Sequence, residues 1–77
     1  MKHQRSKKKE SYIILGKNIR NIRKRNHLSQ EDLAFKLDSA RNYIGCIERG
    51  EKFPSFPFLM EIADALECKL SELVENI

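Results

Sequence analysis

Arg41-Asn42-Tyr43, followed by Gly45 and Cys46, is the run of this 77-residue chain best equipped to recognise another molecule. An arginine guanidinium matches the O6 and N7 acceptors of guanine, and an asparagine amide matches N6 and N7 of adenine, each through two bonds at once. Tyr43 adds a hydroxyl and a ring face suited to a thymine methyl or a phosphate. Gly45 and Cys46 stand one helical turn beyond Arg41 and Asn42. The glycine would let a helix come close to a groove, and the thiol would offer an apolar contact. Such a run is poor helix-forming material, so base reading explains it better than a plain solvated face.

A recognition run of this kind needs a short, stiff support, and the flanking residues supply one. Ser29 opens a helix over Ser29–Leu37, with Asp32 three residues on where a reciprocal cap places it. Leu33, Ala34 and Leu37 form its apolar stripe. Ser39 then caps a second helix, Ser39–Arg49, whose inward residues are Ala40, Ile44 and Ile47. Gly50 stops it, because glycine enters the left-handed region without steric cost. Two helices joined so tightly cross steeply and form a helix-turn-helix, with the second helix shaped for a DNA major groove.

Elsewhere the spacing of apolar residues predicts three more helices and no strand. Leu15, Ile19 and Ile22 mark a first helix from Ser11 or Tyr12 to Arg25. After a linker at Glu51–Pro54, Ser55 caps a fourth helix that tolerates Pro57 in its first turn and turns Leu59, Ile62, Ala63 and Leu66 inward. Leu70, Leu73, Val74 and Ile77 mark a fifth, whose start falls at Lys69, a poor cap, or at Ser71. The expected fold is all-α: a compact five-helix domain over residues 11–77, preceded by a disordered basic arm over residues 1–10.

Charge is segregated along the chain. The net charge is +4, yet Phe53–Ile77 carries Glu61, Asp64, Glu67, Glu72 and Glu75 against Lys69 alone. The preceding residues are strongly basic, with Lys2, Arg5, Lys7, Lys8 and Lys9 in the arm. A polyanion should meet the first part and avoid the last. Ser39, Arg49, Lys52 and the arm lysines Lys7, Lys8 and Lys9 are candidate phosphate contacts, with helix-start amides beside them. Cys46 and Cys68 lie outside any Cys-x-x-Cys pair and read as reduced thiols of a cytoplasmic protein. No apolar run approaches a membrane span. The residues suggest no metal site, cofactor, small-molecule ligand or nucleophile–base pair, so an enzyme is not expected.

The ordered set Leu28-Ser29-Gln30-Glu31-Asp32-Leu33-Ala34, Tyr43-Ile44, Ile47-Glu48-Arg49-Gly50, Pro54-Ser55 and Ile62-Ala63-Asp64-Ala65-Leu66 resembles the phage repressor and Cro-like (XRE-type) helix-turn-helix family. Arg41–Gly45 followed by Glu48–Glu51 is similar, within it, to the controller proteins of restriction–modification systems. The resemblance implies a dimeric, sequence-specific transcriptional regulator, autoregulatory and bound to a palindromic DNA operator. It implies that Gln30 contacts phosphate and braces the recognition helix, and that Arg23 and Glu48 form a buried structural ion pair. Asp38 stands where the family has a turn glycine, and Asn26-His27 replaces a glycine-containing exit from the first helix, with Asn26 able to take the left-handed conformation. A homodimer is expected through the fourth and fifth helices, with Phe58, Val74 and Ile77 as contacts, Phe58 falling away from the buried stripe. The competing function is an antitoxin or protein-interaction adaptor built on the same fold.

Overall fold

Five helices follow one another in the computed structural model, which describes the backbone of residues 2–77 and the side chains from residue 9 onward. They are α1 (Lys2–Arg25), α2 (Gln30–Lys36), α3 (Arg41–Glu48), α4 (Phe56–Ala65) and α5 (Leu70–Leu73). No strand occurs among the described residues, and no described helix is long and apolar enough to cross a membrane.

The apolar stripes meet in one core. Leu15, Ile19 and Ile22 of α1 pack with Leu33 and Ala34 of α2, Ile44 and Ile47 of α3, Leu59, Ile62 and Ala63 of α4, Leu66 and Leu73. Burying apolar surface at about 25 cal/mol per Å² is the main force holding helices this short, which would fray in isolation. α1 lies so close to the end of α3 that a β-carbon on Gly16 would stand 2.5 Å from the carbonyl oxygens of Ile47 and Glu48. Glycine at this position is a condition of the packing.

The expected caps of α2 and α4 form. Ser29 Oγ accepts from the Asp32 amide, and Asp32 accepts from the Ser29 amide, each at 2.9 Å. Ser55 Oγ accepts from the Phe58 amide at 3.3 Å.

The first four helices end alike. A residue in the left-handed region closes each, and the following amide bonds back five residues. The bonds are Leu28 to Arg23, Ser39 to Ala34, Glu51 to Cys46 and Cys68 to Ala63, all at 2.9–3.1 Å. The left-handed residues are His27, Asp38, Gly50 and Glu67.

Four expectations need correction. α1 begins at Lys2 rather than at Ser11 or Tyr12. No glycine or proline interrupts Lys2–Ser11, and its lysines, arginine and glutamine are good helix formers. The arm is therefore helical in its backbone from Lys2, while Met1 lies outside the described residues. His27, not Asn26, takes the left-handed conformation at φ 61°. Asn26 instead donates from Nδ2 to the Leu66 carbonyl at 2.7 Å, closing the end of α4.

Ser39 does not cap α3. The helix starts one residue later with Ala40 as its cap, without a side-chain bond, and the Ser39 amide instead closes α2 by bonding to the Ala34 carbonyl. α5 starts at Leu70 behind Lys69, the first of its two expected starts, but it ends at Leu73, which leaves Ile77 beyond the helix. A four-residue helix has little stability of its own. It is held by Asn18 of α1, whose Nδ2 donates to the carbonyls of Leu73 and Glu75 at 2.8 and 2.9 Å.

Candidate nucleic-acid interface

Arg41 and Asn42 project into solvent from the first turn of α3. That turn carries no acidic residue and no side-chain cap. Its first amides point outward without helical partners, and the partial positive charge of the helix start remains uncompensated. Arg41 and Asn42 therefore emerge from an end that itself favours an anion.

A polar network fixes the helix that carries them. Arg23 donates to Glu48 through Nε (2.6 Å, to Oε2) and Nη2 (2.9 Å, to Oε1), and through Nη1 to the Leu28 carbonyl at 2.7 Å. The two side chains retain only 8% and 3% of their exposure. The hydrogen bonds to Glu48 raise the Arg23 pKa above its ordinary value against the opposing cost of burial. Gln30 Nε2 donates to Glu48 Oε1 at 3.0 Å. The start of α2, the end of α1 and the last turn of α3 thus meet on one carboxylate. This matches both roles that the resemblance implied, the Arg23–Glu48 pair and the bracing by Gln30.

Other residues sit differently from expectation. Gly45 is buried, and its outer side is covered by the chain's own Arg49. A β-carbon there would lie 3.0 Å from Arg49 Nη1 and 3.6 Å from Gln30 Oε1. The glycine makes room for a guanidinium, which corrects its expected base-reading role. Tyr43 is half-buried, with its ring 5.5 Å from that of Phe58. Phe58 therefore packs on the core and does not fall away from the buried stripe of α4. Cys46 is half-buried and accepts a weak bond from Arg49 Nη2 at 3.6 Å.

Among the phosphate candidates, Lys52 and Lys9 are exposed, Ser39 and Gln30 half-buried, and the Lys7 and Lys8 side chains lie outside the described residues. Arg49 is exposed but paired, through Nε (2.7 Å) and Nη2 (3.3 Å), with Glu51. Val74 is half-buried and Ile77 exposed.

The structure also brings forward residues that periodicity passed over. Phe56 and Met60, one turn apart on α4, are 61% and 52% exposed. Their i, i+4 spacing was a visible signal of a second apolar face. Gly16, Asn18 and Asn26 act through contacts distant in sequence, which no local pattern announces.

A family model described as helix-turn-helix matches residues 19–73. Over 64 residues the chain is 36% identical to control protein C.BamHI of Bacillus amyloliquefaciens, covering 82% of this chain and 79% of that one. It is 39% identical over 61 residues to control protein C.SmaI of Serratia marcescens, covering 79% and 73%. The restriction-modification controller protein C.AhdI from Aeromonas hydrophila superposes with a TM-score of 0.78 at 35% identity, over 80% of this chain and 94% of that one.

Proposed function

The chain belongs to the helix-turn-helix family of DNA-binding transcriptional regulators, and from that premise we propose that it is a dimeric, autoregulatory controller reading a palindromic operator with α3. Membership makes it a regulator rather than an enzyme. The observation that carries the finer reading is the uncapped, acid-free start of α3 with Arg41 and Asn42 exposed on it. The controller names of C.BamHI, C.SmaI and C.AhdI support the same assignment.

Arg41 and Asn42 read bases, and Tyr43 and Cys46 flank them. Gln30, Ser39, Lys52 and the α3 amides take phosphates. Lys7, Lys8 and Lys9 add affinity that is independent of sequence and sensitive to salt. One helix reads only a few base pairs, so two copies bind half-sites about 34–36 Å apart. Phe56 and Met60 on α4, with Ile77, offer the exposed apolar surface for that pairing. The protein acts in the cytoplasm, and its own concentration sets occupancy.

Footprinting on the DNA upstream of its own gene tests the proposal, together with sedimentation. Two protected half-sites of matching sequence and a dimer at micromolar concentration are expected. Phe56→Ala with Met60→Ala should yield a folded monomer without cooperative protection. A wild type that protects no discrete site refutes the operator reading.

A further inference from the structure

Arg49 presents a geometry that its role as a simple phosphate contact does not require. The side chain folds back along α3 until its guanidinium lies over Gly45, beside Gln30. Nε and Nη2 hold the two oxygens of Glu51 at 2.7 and 3.3 Å. Nη2 also reaches Cys46 Sγ at 3.6 Å. Glu51 is placed for this by the end of α3. Gly50 turns at φ 78°, and the Glu51 amide bonds back to the Cys46 carbonyl at 2.9 Å.

A carboxylate held by two donors of one guanidinium occupies the position that two oxygens of a phosphate would take. Glu51 is also an acidic residue set between Arg49 and Lys52 in the chain. The pair is open to solvent, with 59% and 54% of the side-chain surfaces exposed. It is therefore weak enough to exchange partners.

We propose that Glu51 is a specificity-determining positioning residue, which holds Arg49 over Gly45 and yields it only to a phosphate presented in the same two-point geometry. The proposal deepens the DNA-binding reading and rests on it. DNA docked in a fixed register places a phosphate where the Glu51 carboxylate stands, and Arg49 is transferred. DNA docked loosely offers its phosphates at scattered distances, and Arg49 stays with Glu51. Non-specific complexes thus lose one phosphate contact that the specific complex keeps. Arg49 shields Gly45 and is already oriented when exchange occurs, so little rotamer freedom is lost in the specific complex.

The test compares wild type, Glu51→Gln, Arg49→Ala and the double variant on two duplexes, one of unrelated sequence and one from upstream of the gene. Glu51→Gln should bind the unrelated duplex roughly two- to fivefold more tightly at low salt. Its dependence of log affinity on log salt should steepen by about one. Affinity for the upstream duplex should rise less, so the ratio between the two falls. In the Arg49→Ala background the Glu51→Gln gain should vanish. A gain of equal size with and without Arg49 would overturn the proposal, because removal of net charge then explains it. An unchanged salt slope in Glu51→Gln would overturn it as well. A wild type that fails to distinguish the two duplexes refutes the operator reading instead, and the salt slopes on the unrelated duplex still decide whether Glu51 withholds Arg49.

Discussion

Gln30 and Arg23, from two different helices, donate to the same oxygen of Glu48, at 3.0 and 2.9 Å. One carboxylate in the last turn of α3 therefore ties that helix to both α1 and α2. Removing it strands a buried guanidinium, whereas removing Gln30 strands only a share of one oxygen that Arg23 still satisfies. Glu48→Ala should cost roughly 3–5 kcal/mol of stability, and Gln30→Ala about 1 kcal/mol. Urea unfolding of both variants checks the difference. Equal losses would mean that the network is not centred on Glu48.

Arg41 is exposed and touches nothing that holds the fold together. Arg41→Ala should keep the wild-type melting temperature. It should lose about 1–3 kcal/mol of operator affinity and relax selectivity at one base pair of each half-site. Binding measured against a set of single-base operator variants tests this, and an intact preference at every position would remove Arg41 from the reading set.

Gly16 faces two carbonyl oxygens at a distance that no β-carbon tolerates. Gly16→Ala must push α1 and α3 apart, at a cost of about 1–3 kcal/mol from overpacking. In a domain of this size that lowers the melting temperature by roughly 4–8 °C per kcal/mol. The displacement should also disturb the Arg23–Glu48 pair, visible as shifted amide resonances at the end of α3.

Glu67 closes α4 with φ at 55°, a conformation that strains an L-residue carrying a β-carbon. Glycine at that place relieves the strain and loses no hydrogen bond, since the two closing bonds are made by the main chain. Glu67→Gly should stabilise the fold by about 0.5–1 kcal/mol despite the extra freedom of the unfolded glycine. A calorimetric melt is the check.

Asp32 accepts from the Ser29 backbone amide and, less strongly, bonds with the Ser29 hydroxyl, and these hold its carboxyl below its ordinary value. A depressed folded-state pKa adds stability that is present above the unfolded-chain value and is lost as pH falls to the folded one. The urea midpoint should therefore decline as pH falls through the acidic carboxylate range. Asp32→Asn should flatten that decline, and an undiminished decline in that variant would place its origin elsewhere.

Local patterns announced most of this fold and less of its interface. The stripes at Leu15–Ile22, Leu33–Leu37 and Leu59–Leu66 and the caps at Ser29 and Ser55 are properties of neighbouring residues, and they appear where the spacing placed them. Ser39 misled because one residue stood between two competing demands, the closing of α2 and the opening of α3. Its amide closes α2, and Ala40, the next residue, takes the cap of α3. The roles of Gly45 and Phe58 were misread because each depends on a partner that periodicity does not name. Arg49 fills the space over Gly45, and Tyr43 covers Phe58. Residues at the start of α3 remained legible because exposure there needs no partner.

Asn18 on α1 and Asn26 just past its end hold the trailing ends of α5 and α4, while Gly16 and Arg23 on the same helix seat α3. α1 thus works as a ruler between α3 and the closing ends of α4 and α5, the helices through which a second copy would join. No glycine or proline lies between Lys17 and Arg25 to act as a hinge. A pair of copies would inherit that stiffness as a fixed separation of its two reading edges. Inserting one base pair between half-sites shifts them by about 3.4 Å and rotates one against the other by about a tenth of a turn. A ruler without a joint cannot follow, so the spacing of the operator would be measured as strictly as its letters.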